Sequence, residues 1–242
     1  MSVRKCLNPV TVGYKQPRGR MWEIYKDIKL LHKWHHYPEI YDELFAGYLD
    51  RPIKILEIGV YNGGSLQMWE RYFHPDSLVV GIDIENQVKA ELRDNTEVRI
   101  GDQGSAEFLD EIVEEFGQFD IIIDDGSHLT ADQRDSFIRL FKTGLADEGL
   151  YVVEDTHTSY LAPFVNSRRT FIGTCQEIVD LMHAEYWNRD SFEEFSIGNE
   201  DREDTVMEYY EAWVYSVQFF DSMVAFKKRL KGHQTSDVVF KA

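Results

Sequence analysis

Cysteine is almost absent: Cys6 and Cys175 are the only two among 242 residues, and they stand far apart. No disulfide framework can be built from such a pair, so the fold must rest on a hydrophobic core, for which this length suffices. No stretch approaches the ~20 consecutive apolar residues that span a bilayer, and the opening MSVRKCLNPV lacks the apolar run of a secretory leader. The expected setting is the reduced cytoplasm. Positive charge is scarce too, with 26 Lys and Arg against 43 Asp and Glu, a formal net charge of −17. That balance repels phosphate backbones and anionic headgroups, so neither nucleic acid nor the membrane surface is expected as a partner. Also missing is G-x-G-x-x-G, the spacing that seats a dinucleotide pyrophosphate on a helix N-terminus, which argues against a nicotinamide-linked oxidoreductase.

What is present is a rhythm of short apolar runs, each bounded by Gly or Asp and followed by an amphipathic stretch, as in βα units on a parallel sheet. The runs 53–59, 78–84, 97–100, 119–124 and 149–154 read as strands. Between them Phe108, Leu109, Ile112 and Phe116 recur at helical spacing, with Asp110, Glu111 and Glu114 on the opposite face. A second helix is expected over 130–142, ending at Gly144, and a third over 170–185. The acid-rich stretch 189–211 reads as including an exposed loop, and 212–220 with 223–226 as an antiparallel hairpin turning at Asp221-Ser222. Residues 21–49 read as one or two helices broken at Pro38. The fold class is therefore α/β: a doubly wound, Rossmann-like sheet of seven strands over 51–230, with a helical extension 1–50 and a frayed tail 231–242.

The strongest local signal is the strand ILEIG running into VYNGGS. Gly59, Gly63 and Gly64 allow close approach of a ligand to the backbone, and a helix begins near Ser65. Glu57 puts a carboxylate at the strand's end, which suits a cationic, zwitterionic ligand such as S-adenosylmethionine better than a pyrophosphate. A tight turn without a ligand is the plainer alternative. Asp83 ends the second strand where an acid commonly takes two ribose hydroxyls, and Asp102, beside Gln103, ends the third. Together they favour a nucleoside pocket, although either could be a solvated strand-end acid.

After strand four comes Asp124-Asp125-Gly126-Ser127-His128, and after strand five Glu154-Asp155. Adjacent strand ends of a doubly wound sheet meet at one crevice, so these carboxylates converge and call for a cation. Oxygen donors without cysteine point to Mg²⁺, with Mn²⁺ or Ca²⁺ as alternatives. Asp124 could instead face the nucleoside, since successive strand residues point to opposite sides. His128 is a candidate general base, with metal ligand and structural residue as competing readings, and His157 is a weaker competitor. Trp34, His35, His36, Tyr37 and Tyr41 form either a helix packing face or an edge that contacts substrate.

In this order the motifs resemble class I S-adenosylmethionine-dependent methyltransferases, in particular the metal-dependent macrolide sugar O-methyltransferases. The resemblance runs from about Tyr37 to Lys228 and is almost letter for letter at 124–128 and 153–160. It implies cofactor binding by Glu57, Gly59, Gly63, Gly64, Ser65, Asp83, Asp102 and Gln103. It further implies Mg²⁺ at Asp125, Glu154 and Asp155, chelating neighbouring sugar hydroxyls, with His128 deprotonating the hydroxyl to be methylated. The implied acceptor is a sugar or glycosylated metabolite; a catechol-like diol, or cofactor binding without transfer, are the rival readings. The resemblance also allows a homo-oligomer. Ahead of the first strand stand only about fifty residues where the family carries a long N-terminal domain, so the acceptor's identity is not expected to carry over.

Overall fold

The computed structural model describes residues 11–184 and 207–232. Helices α1 (Arg20–Tyr25) and α2 (Tyr37–Phe45) precede β1 (Lys54–Ile58), α3 (Gly64–Tyr72), β2 (Leu78–Asp83) and β3 (Thr96–Ile100). Then follow α4 (Ala106–Phe116), β4 (Phe119–Asp124), α5 (Thr130–Thr143), β5 (Leu145–Val153), α6 (Phe171–Leu181), α7 (Tyr209–Trp213), β6 (Val214–Phe220) and β7 (Met223–Lys228). The seven strands form one sheet in the order β3-β2-β1-β4-β5-β7-β6. The first five run parallel, and β7 pairs antiparallel with both β5 and β6.

The apolar runs are continuous because both faces of the sheet are covered. Ile55, Val79, Ile121, Ile123 and Val152 point to one side, where they meet Tyr41 and Phe45 of α2 and Trp69 of α3. Leu56, Val80, Ile122, Tyr151 and Val153, one residue along each strand, point to the other, against Phe137 and Phe141 of α5 and Phe171 and Cys175 of α6. Each such side chain contributes roughly 1.5–3 kcal/mol when withdrawn from water, so removing either layer would expose the sheet face it covers. Ser105 caps α4 by accepting from the Phe108 amide, and Gly117 with φ 74° ends it.

Several boundaries differ from expectation. Pro38 does not break a helix; it lies in the first turn of α2, where its missing N–H costs nothing. The strand expected from 149 starts at Leu145, and that expected over 212–220 starts at Val214, after the end of α7. Helix α7 also takes residues 209–211 from the expected acidic loop, helped by a capping box between Glu208 and Glu211. The rest of that loop, 189–206, and the tail from 233 lie outside the described residues. Among the described residues no helix is long and apolar enough to cross a membrane.

Candidate active site

Strand order reverses between β1 and β4, and this switch point opens a crevice at the carboxyl ends of the strands. The loops after β1, β4 and β5 are knitted side by side there. The Asp125 amide donates to the Ile58 carbonyl and the Glu154 amide to the Asp124 carbonyl, both at 2.9 Å. Gly59 has φ +83°, and a Cβ on it would lie 2.3 Å from the Asp125 carbonyl oxygen, so contact between the loops requires glycine. The crevice is a cavity of about 1070 Å³.

On one side it is lined by Gly59, Ser65, Asp83, Asp102 and Gln103. Asp83 is fixed by three backbone amides: Oδ2 accepts from Val60 and Tyr61, and Oδ1 from Glu85, each at 2.9 Å. A carboxylate has about four acceptor sites, so one is left for a ligand where the sequence led us to expect two ribose bonds. Gln103 is buried; its amide donates to Asp124 at 3.2 Å and its carbonyl oxygen accepts the Ser127 amide at 2.6 Å. Glu57, Gly63 and Asp124 do not line the cavity but stand behind its wall. Asp124 is fully buried and accepts from the Ser136 hydroxyl at 2.6 Å; burial raises its carboxyl to about 6 against these hydrogen bonds. Gly63, with φ 85°, begins the turn into α3.

Asp125, His128, Glu154 and Asp155 line the other side. One donor atom from each of Asp125, His128 and Asp155 lies within 4.8 Å of the others, a set able to hold a metal ion. His128 Nε2 stands 3.9 Å from Asp125 Oδ1 and 3.6 Å from Asp155 Oδ2. Its Nδ1 is buried without a hydrogen-bond partner among the described residues. His128, Asp155 and Tyr61 all have left-handed backbones, with φ of 57°, 52° and 45°. Such conformations cost free energy and collect at sites where side-chain direction matters more than comfort.

Glu154 lies deeper. Tyr41 donates to its Oε1 at 2.6 Å and Lys33 Nζ to its Oε2 at 2.9 Å. The same ammonium reaches Asp125 Oδ2 at 2.9 Å and stands 3.3 Å from Glu57 Oε1, whose partner oxygen Oε2 accepts from the Ser65 hydroxyl at 2.6 Å. Burial raises the carboxyls of Glu57 and Glu154, with Lys33 opposing. Burial alone would lower the Lys33 ammonium, but Asp125 and Glu154 outweigh it and hold the group protonated. Asp155 accepts from the Tyr37 hydroxyl at 2.6 Å and the Trp34 indole at 3.1 Å. His157 is turned to the Ser222 hydroxyl at 2.6 Å and lies 4.0 Å from Asp155.

Part of the aromatic segment is the expected packing face. Tyr37 and Tyr41, one helical turn apart, are buried against the sheet while their hydroxyls fix Asp155 and Glu154; Trp34 remains about half exposed on the cavity rim. No role in the site was expected of Lys33. A lone lysine in a polar run is ordinarily solvated, and nothing local marks that three distant acids surround it.

No protein-family model matches the chain. Among curated proteins it is 41% identical over 172 residues to the 8-demethyl-8-alpha-L-rhamnosyl tetracenomycin-C 2'-O-methyltransferase of Streptomyces olivaceus, covering 65% of this chain and 44% of that protein. It is 43% identical over 141 residues to the mycinamicin VI 2''-O-methyltransferase of Micromonospora griseorubida, covering 54% and 34%. The chain thus spans less than half the length of these relatives. Among solved structures it resembles a methyltransferase of the mycinamycin biosynthetic pathway in complex with Mg, SAH and mycinamycin VI. The TM-score is 0.71 at 26% identity, over 89% of this chain and 56% of the other.

Proposed function

Since this chain is a homologue of the class I S-adenosylmethionine-dependent sugar O-methyltransferases, we propose that it transfers a methyl group from S-adenosylmethionine to a hydroxyl of a sugar or glycosylated metabolite, with Mg²⁺. The observation that carries the proposal is the Asp125, His128 and Asp155 donor set, facing the same cavity as the Gly59 turn. Its acids outnumber its cations, so both a sulfonium and a divalent ion are electrostatically welcome. We read 51–230 as the transferase unit, with the described part of 1–50 closing its cavity.

In this reading Gly59, Ser65, Asp83, Asp102 and Gln103 seat the cofactor, with Glu57, Gly63 and Asp124 shaping that wall from behind. Asp125 and Asp155 hold the metal ion, and Glu154 is the third acid within reach of it. The oxygen-rich donors suit a hard cation. When bound, the ion supplies charge that lowers the acceptor hydroxyl's pKa. His128 accepts that hydroxyl's proton at Nε2, the ring nitrogen that faces the acids. The left-handed backbone of residue 128 aims the ring, which packs edge-on against Phe164 at 6.2 Å between ring centres. The remaining work is alignment of donor and acceptor, which a rigid strand-end site provides.

The test is incubation with S-adenosylmethionine and Mg²⁺ against a panel of rhamnosyl and deoxysugar glycosides and catechols, read by mass spectrometry. Methylated glycoside is the expected product. A methylated catechol alone would correct the acceptor class, and cofactor binding without any transfer would defeat the enzyme reading.

A further inference from the structure

Lys33 sits where the cofactor side and the metal side of the site meet. Its side chain is 2% exposed, its ammonium touches Glu57, Asp125 and Glu154, and it lies 5.8 Å from the centre of the Trp69 ring. The segment that carries it is anchored: the Tyr25 hydroxyl donates to the Lys33 carbonyl at 2.8 Å, and the Leu30 backbone lies so close to Gly64 that a Cβ there would be 2.4 Å from the Leu30 oxygen. Each oxygen of Glu154 already has a partner, Tyr41 on one and Lys33 on the other. A divalent ion among Asp125, His128 and Asp155 that reaches for Glu154 Oε2 therefore meets the ammonium's positive charge at the same oxygen.

From this geometry we propose that Lys33 is a positioning residue: an internal counter-ion that holds Glu57, Asp125 and Glu154 together and competes with the divalent ion for oxygens of Asp125 and Glu154. The inference rests on the reading that this site takes a metal. Its consequence is a site whose acids stay gathered before metal arrives, at the expense of metal affinity. A like charge a few ångströms from a bound ion is a strong repulsion even at the effective dielectric of a protein interior. Removing it must tighten metal binding while loosening the metal-free fold.

The experiment uses the full chain as wild type, Lys33→Met and Lys33→Arg, with Mn²⁺ as the probe, followed by electron paramagnetic resonance and by thermal melting in EDTA and in Mn²⁺. Lys33→Met should bind Mn²⁺ at least about tenfold more tightly, melt lower than wild type in EDTA, and gain more from Mn²⁺. Lys33→Arg should stay near wild type. If wild type binds Mn²⁺ and Lys33→Met binds it no more tightly, the counter-ion role is wrong and the metal reading stands. If none of the three binds Mn²⁺, the metal reading fails and takes this inference with it. Should Lys33→Met not fold, hydrogen exchange on wild type decides: amides of 30–36 should exchange faster on adding Mn²⁺, and unchanged exchange overturns the proposal.

Discussion

His128 and Asp155 face each other across 3.6 Å, each on a left-handed backbone, and each arrives from a different strand end. This pairing lets Nε2 either take a proton or ligate a metal, and one variant separates the two. As the base, His128→Ala should lower kcat by about 10²–10⁴-fold with Mn²⁺ and cofactor affinities retained. A parallel loss of Mn²⁺ affinity would make the residue a ligand.

Activity should vanish in EDTA and return with Mg²⁺. Asp155→Asn and Asp125→Asn should each abolish the rise in Tm that Mg²⁺ produces in wild type, while calorimetric binding of the cofactor persists. Activity that survives complete metal removal would refute the assignment of these acids.

Asp83→Ala leaves the amides of Val60, Tyr61 and Glu85 without their acceptor. Hydrogen bonds to a charged group contribute roughly 1.5–3 kcal/mol, so cofactor affinity should fall more than tenfold and urea stability should fall with it. Asp83→Asn keeps one acceptor oxygen and should recover part of both losses.

Gly64→Ala should destabilise the chain by about 1–3 kcal/mol, as overpacking does, because the new Cβ meets backbone that cannot rotate away. Urea denaturation measures this directly. A neutral effect would mean that the segment at Leu30 is free to lift.

Asp124 gives a pH signature. Burial raises its carboxyl from 3.8 to about 6, so the folded state holds this proton more tightly than the unfolded chain does. The resulting stability is complete below pH ~4 and is lost as pH rises through about 6. The difference is about 3 kcal/mol. Asp124→Asn should remove this fall from a comparison of Tm across that range in EDTA; an identical profile in wild type and variant would refute it.

The parallel strands, the crossover helices and the closing hairpin were legible because buried strands are continuously apolar and surface helices are not. The acids at 124–125 and 154–155 were legible because they follow such runs directly. How they meet was not. The resemblance implied Asp125, Glu154 and Asp155 as the metal set; in the structure donor atoms of Asp125, His128 and Asp155 lie together, while Glu154 beside them is held by Tyr41 and Lys33. That distinction depends on a segment about 120 positions away, which no local pattern encodes. The interval between α1 and α2 was similarly hidden, since aromatic residues at helical spacing suit a packed loop as well as a helix.

The Tyr37 hydroxyl that donates to Asp155 also lies 3.0 Å from the Ser222 carbonyl oxygen, at sequence separations of 118 and 185. Contacts of such span close long loops, at an entropic cost that local contacts do not carry. The helices and parallel strands do not need them, whereas the hold on the Tyr37 hydroxyl draws on the hairpin turn. A chain cut short before Ser222 should therefore hold Asp155 less firmly even where the parallel part of the sheet is intact.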